Sequence, residues 1–178
     1  MGSVIRPAAF CGIVGFRPGW GTIPTTGVIA NAPTLDTVGL FTADVPSATL
    51  AAEVLCGWES SPIETQPPVL GLPIGPYLNQ ASPPARASFD AQLAGLAAAG
   101  ITVRAAPLVD DLDAFTEWLL VINRYELAQV HTTWFAAHPS RYRHATAAAI
   151  KHGMTISPAG YAEALRWRKG YILSLIHI

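Results

Sequence analysis

The sequence predicts an α/β protein built from packed layers of helices and strands. Short, continuously apolar runs, which are typical of buried strands, occur at 13–16, 69–75 and 101–105. Segments with apolar residues at helical spacing separate and follow these runs. The order of strand, helix, strand and helix is typical of layered α/β folds.

Local signals at helix ends support the individual elements, with helices predicted near 45–56, 83–99, 111–137 and 158–170. In the first helix, Asp44 suits the N-cap, Pro46 fits the first turn and Gly57 suits the residue after the end. Its apolar face is predicted to consist of Leu50, Val54 and Leu55. A turn at 18–21 and loops at 22–34 and 59–68 connect the elements.

The longest helix, at 111–137, carries an apolar stripe that includes Phe115, Trp118, Leu119 and Ile122. Acidic residues cluster where it begins, at Asp110, Asp111 and Asp113. Acidic side chains at a helix start complement the helix dipole. We therefore interpret these three as structural rather than as metal ligands or acid–base groups.

Composition excludes several classes of function. The 178 residues have a formal net charge of −1, so no basic stripe points to nucleic acid or to a membrane surface. No run of about 20 apolar residues and no signal peptide is visible, which predicts a cytoplasmic protein. Charged residues make up only 13%. Either an alanine-rich source or a surface covered by polypeptide outside this chain explains that value.

The sequence predicts no metal site and no cofactor. The five histidines form neither HxxxH nor HExxH, and none pairs closely with a cysteine. The glycines of GFRPGWG do not match a phosphate-binding loop. Cys11 and Cys56 are far apart without a CxxC spacing, and we expect two buried thiols in a reducing cytosol rather than a disulfide.

Several separated motifs in the first 57 residues resemble those of the amidase signature family. They occur in the family's order, as Gly2-Ser3, Arg6-Pro7, Cys11-Gly12, Gly15-Phe16-Arg17-Pro18 and Leu35-Asp36-Thr37-Val38-Gly39. The resemblance implies an α/β/α layered fold with a mixed sheet. It also implies an amidase acting on the carbon–nitrogen bonds of linear amides.

The family's nucleophilic serine maps onto Ser3. Its other two catalytic groups, a serine in a cis peptide and a lysine, lie upstream of the nucleophile in the family, so neither has a counterpart here. The resemblance therefore implies that 1–178 is a partial amidase domain whose N-terminal part is missing and which is inactive by itself. Within it, 1–57 carries the motifs and 58–171 forms the remaining core. The tail at 172–178 (ILSLIHI) resembles a translated sequencing adapter and is doubtful.

The resemblance also suggests roles for the neighbours of Ser3. Gly2 and Ser3 are expected to form the oxyanion site, because a residue without Cβ lets the backbone approach the substrate. Arg6 is a candidate for gripping a substrate carboxylate in a bidentate pair, although many family members place arginine two residues after the nucleophile rather than three. The alternative for Arg6 is a structural salt bridge with Asp36.

Two functions remain open from the sequence. The first is an amide hydrolase acting on a small-molecule amide, with a homodimer left open. The second is a non-catalytic amidase-like protein with a structural or interaction role. A conventional serine hydrolase that uses His131 or His138 as its base ranks last.

Overall fold

The computed structural model describes residues 2–59 and 67–175. Within them the helices are α1 (Ile5–Cys11), α2 (Val45–Cys56), α3 (Pro83–Ala98), α4 (Leu112–Ala137), α5 (His144–Thr155) and α6 (Pro158–Leu175). The strands are β1 (Val14–Phe16), β2 (Leu40–Thr42), β3 (Val69–Ile74) and β4 (Thr102–Pro107). Short 3-10 turns lie at Leu78–Gln80 and Pro139–Arg141.

The described chain forms two compact units. The first comprises 2–59 and 126–154, and the second comprises 67–125 and 155–175. No helix among the described residues combines the length and the apolar character needed to cross a membrane.

In the first unit, β1 and β2 pair antiparallel, with Gly15 opposite Phe41. Helices α1 and α2 both contact this ribbon. A separate core is formed by the second half of α4 and by α5, where Leu127, Ala128, Phe135 and Ile150 are buried together. All of the motifs in the first 57 residues therefore belong to this unit.

In the second unit, β3 and β4 pair in parallel, with a register from Val69 opposite Thr102 to Ile74 opposite Pro107. Helix α3 provides the crossover that parallel neighbours require. Aromatic rings pack between α4 and α6, where the centroid of Phe115 lies 5.5 Å from that of Trp167 and 4.9 Å from that of Tyr171. The Tyr171 hydroxyl donates to the Leu108 carbonyl at 2.8 Å, and burial raises the pKa of Tyr171.

The predicted α/β class is confirmed, and the described strands form one antiparallel and one parallel pair. The four predicted helices are present, although α6 runs on through 172–175. Residues 60–66 of the predicted loop and 176–178 of the doubtful tail lie outside the described residues. The sequence analysis missed β2 and α5. The first has only three residues, and the second is an alanine-rich stretch without a clear apolar stripe.

Helix α2 begins and ends as predicted but buries a different face. The Asp44 carboxylate accepts from the Ser47 N–H at 2.8 Å, and Gly57 is left-handed at φ 65°. Hydrogen bonds from the hydroxyl and the backbone N–H of Ser47 lower the pKa of Asp44. The predicted apolar face of Leu50, Val54 and Leu55 is exposed, and Ala48 and Ala52 are buried instead. Small side chains let the helix approach the ribbon closely, which leaves its larger side chains outside.

Candidate active site

Ser3 lies in a turn immediately before helix α1. Gly2, which precedes it, has φ +82°, a conformation that L side chains rarely adopt. The Ser3 side chain is exposed, and its hydroxyl makes no hydrogen bond to another described residue. The Gly2 carbonyl accepts from the Arg6 N–H at 3.0 Å, which closes the turn into the helix. The turn therefore presents a free hydroxyl beside a glycine backbone.

Two glycines of the ribbon let this turn and helix lie directly against it. A Cβ on Gly15 would be 2.7 Å from the Cβ of Ala8 and 3.1 Å from the carbonyl oxygen of Val4. A Cβ on Gly39 would be 2.5 Å from a methyl of Val4 and 3.0 Å from the carbonyl oxygen of Phe16. Because Val4 directly follows Ser3, these contacts fix the position of the serine.

We expect Gly39→Ala to destabilise the protein by about 1–3 kcal/mol, because the new methyl overlaps Val4 and Phe16. Gly95→Ala is the matched control, since nothing lies within 4 Å of its Cβ position in α3. The control should be neutral or stabilise by up to about 1 kcal/mol, as expected for Gly→Ala in a helix. Urea unfolding measures both, and equal effects would contradict the role assigned to Gly39.

The structure does not form the salt bridge considered as the alternative for Arg6. Asp36 Oδ2 instead accepts from the backbone N–H groups of Asn31 at 2.7 Å and Ala32 at 2.9 Å. Arg6 is exposed, and its guanidinium has no hydrogen bond or ion pair with any described residue. Asp36 thus closes its own loop, and Arg6 points a charge toward solvent one turn after Ser3.

A buried glutamate anchors the loop that leads to Gly39. Glu126, only 6% exposed, accepts from the Thr34 N–H at 2.9 Å and from the Thr34 hydroxyl at 2.5 Å. The Trp20 indole donates to the Pro33 carbonyl at 3.2 Å, and Arg17 donates to the Thr37 hydroxyl at 2.9 Å. Sequence reasoning missed Glu126. A carboxylate beside the apolar stripe of α4 is the signal that could have revealed it.

The other predicted residues lie apart from this turn or serve structure. His131 Nδ1 is 2.8 Å from the Tyr142 hydroxyl, so its ring faces a tyrosine rather than a serine or a carboxylate. Asp111 caps α4 by accepting from the Ala114 N–H at 2.9 Å, as its predicted structural role requires. Among the described residues, no three His, Cys, Asp or Glu side chains are grouped as a metal site.

The cysteines correct one prediction. Both are free thiols, but Cys11 is exposed and Cys56 is half-buried, so the expectation of two buried thiols is wrong. Helix α1 buries Ala8 alone, which leaves Cys11 at its end facing solvent.

A second feature of the first unit is an apolar groove of about 360 Å³ between β1 and α2. Phe16, Val45 and Trp58 line it, and the Trp58 ring packs edge-on against Phe16 at 5.9 Å. Glu53 and Glu59 also line it, whereas the predicted residues Ser3 and Arg6 do not.

The sequence motifs, the α/β units and the exposed serine turn together define a protein of the amidase class. A model of the family described as "Amidase" matches residues 1–155, and the chain belongs to this family. It is also similar to a solved amidase with a TM-score of 0.87 and 29% identity, over 98% of this chain and 40% of that one.

Curated relatives give the same family over shorter stretches. The chain is 40% identical over 77 residues to a glutamyl-tRNA(Gln) amidotransferase subunit from Brachyspira hyodysenteriae, a match that covers 43% of this chain and 15% of that protein. It is 35% identical over 118 residues to the protein of the same name from Koribacter versatilis, a match that covers 57% of this chain and 25% of that protein. The matches thus span a quarter or less of these two relatives.

Proposed function

We propose that this chain carries the nucleophile of an amide hydrolase and that Ser3 is that nucleophile. The observation that supports the proposal is the turn itself. An exposed serine with a free hydroxyl follows a glycine at positive φ and directly precedes a helix, in a chain of the amidase family. The geometry leaves the Ser3 hydroxyl accessible to a substrate carbonyl.

The chemistry is a two-step acyl transfer. The Ser3 oxygen attacks the amide carbon, and the carbon–nitrogen bond breaks as the nitrogen takes a proton and leaves as an amine or ammonia. Water then attacks the acyl-serine ester, which releases the acid and returns the proton to Ser3. A serine hydroxyl needs a base for the first attack. The family resemblance assigns that base to a lysine acting through a second serine, neither of which maps onto this chain.

The backbone N–H groups of Gly2 and Ser3 are the proposed donors to the oxyanion. Such donors act where negative charge develops, and loss of one typically costs about 3 kcal/mol of transition-state stabilisation. Gly2 has open space on the side where a side chain would sit, with Arg6 Cβ at 3.8 Å as the only atom within 4 Å. A substrate carbonyl can therefore come close to this backbone.

We propose that Arg6 binds a carboxylate on the acyl part of the substrate, a role supported by its exposed guanidinium and its lack of an ion pair among the described residues. Arg6→Ala should raise KM for carboxylate-bearing amides at least tenfold more than for neutral amides of the same size. Arg6→Lys keeps the charge but loses the bidentate geometry, and it should fall between the two. An equal loss for both substrates would contradict this assignment.

The substrate proposed is a small linear amide, and the cellular location proposed is the cytoplasm. The free thiols of Cys11 and Cys56 agree with a reducing compartment. The homodimer considered from the sequence remains a prediction.

The experiment compares this chain alone with a fusion in which it replaces the matching 40% of the solved amidase. Both are assayed for release of ammonia from small amides that carry a carboxylate, and circular dichroism checks that both are folded. We expect turnover by the fusion and none by the chain alone. Robust turnover by the chain alone that is abolished by His131→Ala would replace the proposed mechanism with a histidine-based one. A folded fusion without turnover would favour the non-catalytic alternative.

A further inference from the structure

Helices α1 and α2 expose large apolar side chains to an unusual degree. Phe10 on α1 is 87% exposed, and Val54 and Leu50 on α2 are 75% and 63% exposed. Ile5 and Val45 add more than half of their surface. We call these five residues the α1–α2 face.

This exposure is not a scatter of single surface residues. Leu50 and Val54 are four positions apart and therefore lie on the same side of α2. Val45 is nine positions before Val54, which at about 100° per residue puts it on the opposite side of the helix. Val45 lines the apolar groove with Phe16 and Trp58. Helix α2 thus presents apolar side chains on two opposite sides, while only Ala48 and Ala52 are buried.

The chemistry of the face indicates burial against other polypeptide. Contiguous exposed apolar surface marks an interaction site in soluble proteins. The low charged content of the whole chain, 13%, points the same way. An occupant must also reach two opposite sides of one helix. A wrapping polypeptide can do this, whereas the single flat patch of a two-fold contact between copies covers one side.

The solved amidase indicates what that polypeptide is. It superposes on 98% of this chain, yet the match uses only 40% of its own length. That protein therefore carries further amidase polypeptide, more than is aligned, around a copy of the same fold. A second copy of this chain provides no comparable source of new surface.

We propose that the α1–α2 face is the docking surface for amidase polypeptide equivalent to the part of the solved amidase outside the match. The occupant presents apolar side chains to both sides of α2 and enters the groove beside Val45 and Trp58. The proposal rests on the fold and on the exposed side chains, and it does not depend on Ser3 being the nucleophile.

The test co-expresses the tagged 178-residue chain with the unmatched part of the solved amidase and isolates complexes through the tag. We expect a 1:1 complex, in which amide exchange across 44–57 is slowed relative to the chain alone. Leu50→Glu and Val54→Glu should each reduce the recovered complex at least tenfold. Met154→Glu is the matched control, because Met154 is 49% exposed on α5 of the same unit, and it should leave the yield unchanged.

Three results would overturn the proposal. One is the absence of a complex while the tagged chain remains folded by circular dichroism. Another is a complex that Leu50→Glu and Val54→Glu leave intact. The third is a dimer of the chain alone, in sedimentation, that these two variants dissociate. Ser3→Ala should leave the complex intact, so a stable complex without amide turnover would count against the proposed function alone.

Discussion

Replacing Ser3 by alanine should lower kcat for amide hydrolysis by about 10⁶-fold in the amidase fusion, with the fold unchanged. The reason is that the members of a nucleophile–base unit act together. In another serine hydrolase, loss of the nucleophile alone removed about as much activity as loss of the whole unit. The remaining activity would come from the oxyanion donors and from substrate binding. Steady-state kinetics on a small carboxylate-bearing amide measure the effect.

The control for Ser3→Ala is Ser88→Ala, an equally small change at an exposed serine of α3. It should leave kcat and the melting temperature unchanged. A reduction of less than about tenfold for Ser3→Ala would show that another group attacks the amide.

Removing the side chain of Glu126 should have the largest effect on stability. Glu126→Ala leaves the N–H and hydroxyl of Thr34 without the acceptor that they use in the native structure. Breaking hydrogen bonds to a charged acceptor costs about 1.5–3 kcal/mol each, and an unpaired buried group adds to that cost. We therefore expect a loss of about 3–5 kcal/mol in the free energy of unfolding, measured by urea titration.

Thr34→Val separates the two hydrogen bonds, because it removes the hydroxyl and keeps the backbone N–H. It should cost about a third to a half as much as Glu126→Ala. A loss below about 1 kcal/mol for Glu126→Ala would contradict its role as the anchor of the loop that leads to Gly39. Amide exchange in 30–39 should increase in both variants, and more in Glu126→Ala.

The sequence predicted those parts of the fold that are determined locally. The ends of α2 followed from a capping aspartate and a terminal glycine, because both act on backbone groups within a few residues. The start of α4 followed from its acidic cluster in the same way, with Asp111 as the residue that makes the cap. The turn at Ser3 was located by short motifs around it rather than by periodicity.

The parts that depend on distant contacts could not be predicted. Glu126 and Thr34 are separated by 92 positions, and nothing near either residue indicates the other. The buried side of α2 was assigned to Leu50, Val54 and Leu55 because large apolar side chains usually face a core. The close approach of the helix to the ribbon instead selects Ala48 and Ala52. The choice between a substrate contact and a salt bridge for Arg6 likewise depended on where the Asp36 carboxylate lies.

The measurement that tests the central claim most directly is the identification of the residue that a fluorophosphonate probe modifies in the amidase fusion. The labelled protein is digested, and mass spectrometry locates the adduct. We predict a single adduct on Ser3, formed in the fusion, abolished by Ser3→Ala and retained in Ser88→Ala. An adduct on any other serine, or continued amide turnover by a fusion without a reactive Ser3, would contradict the assignment of Ser3 as the nucleophile.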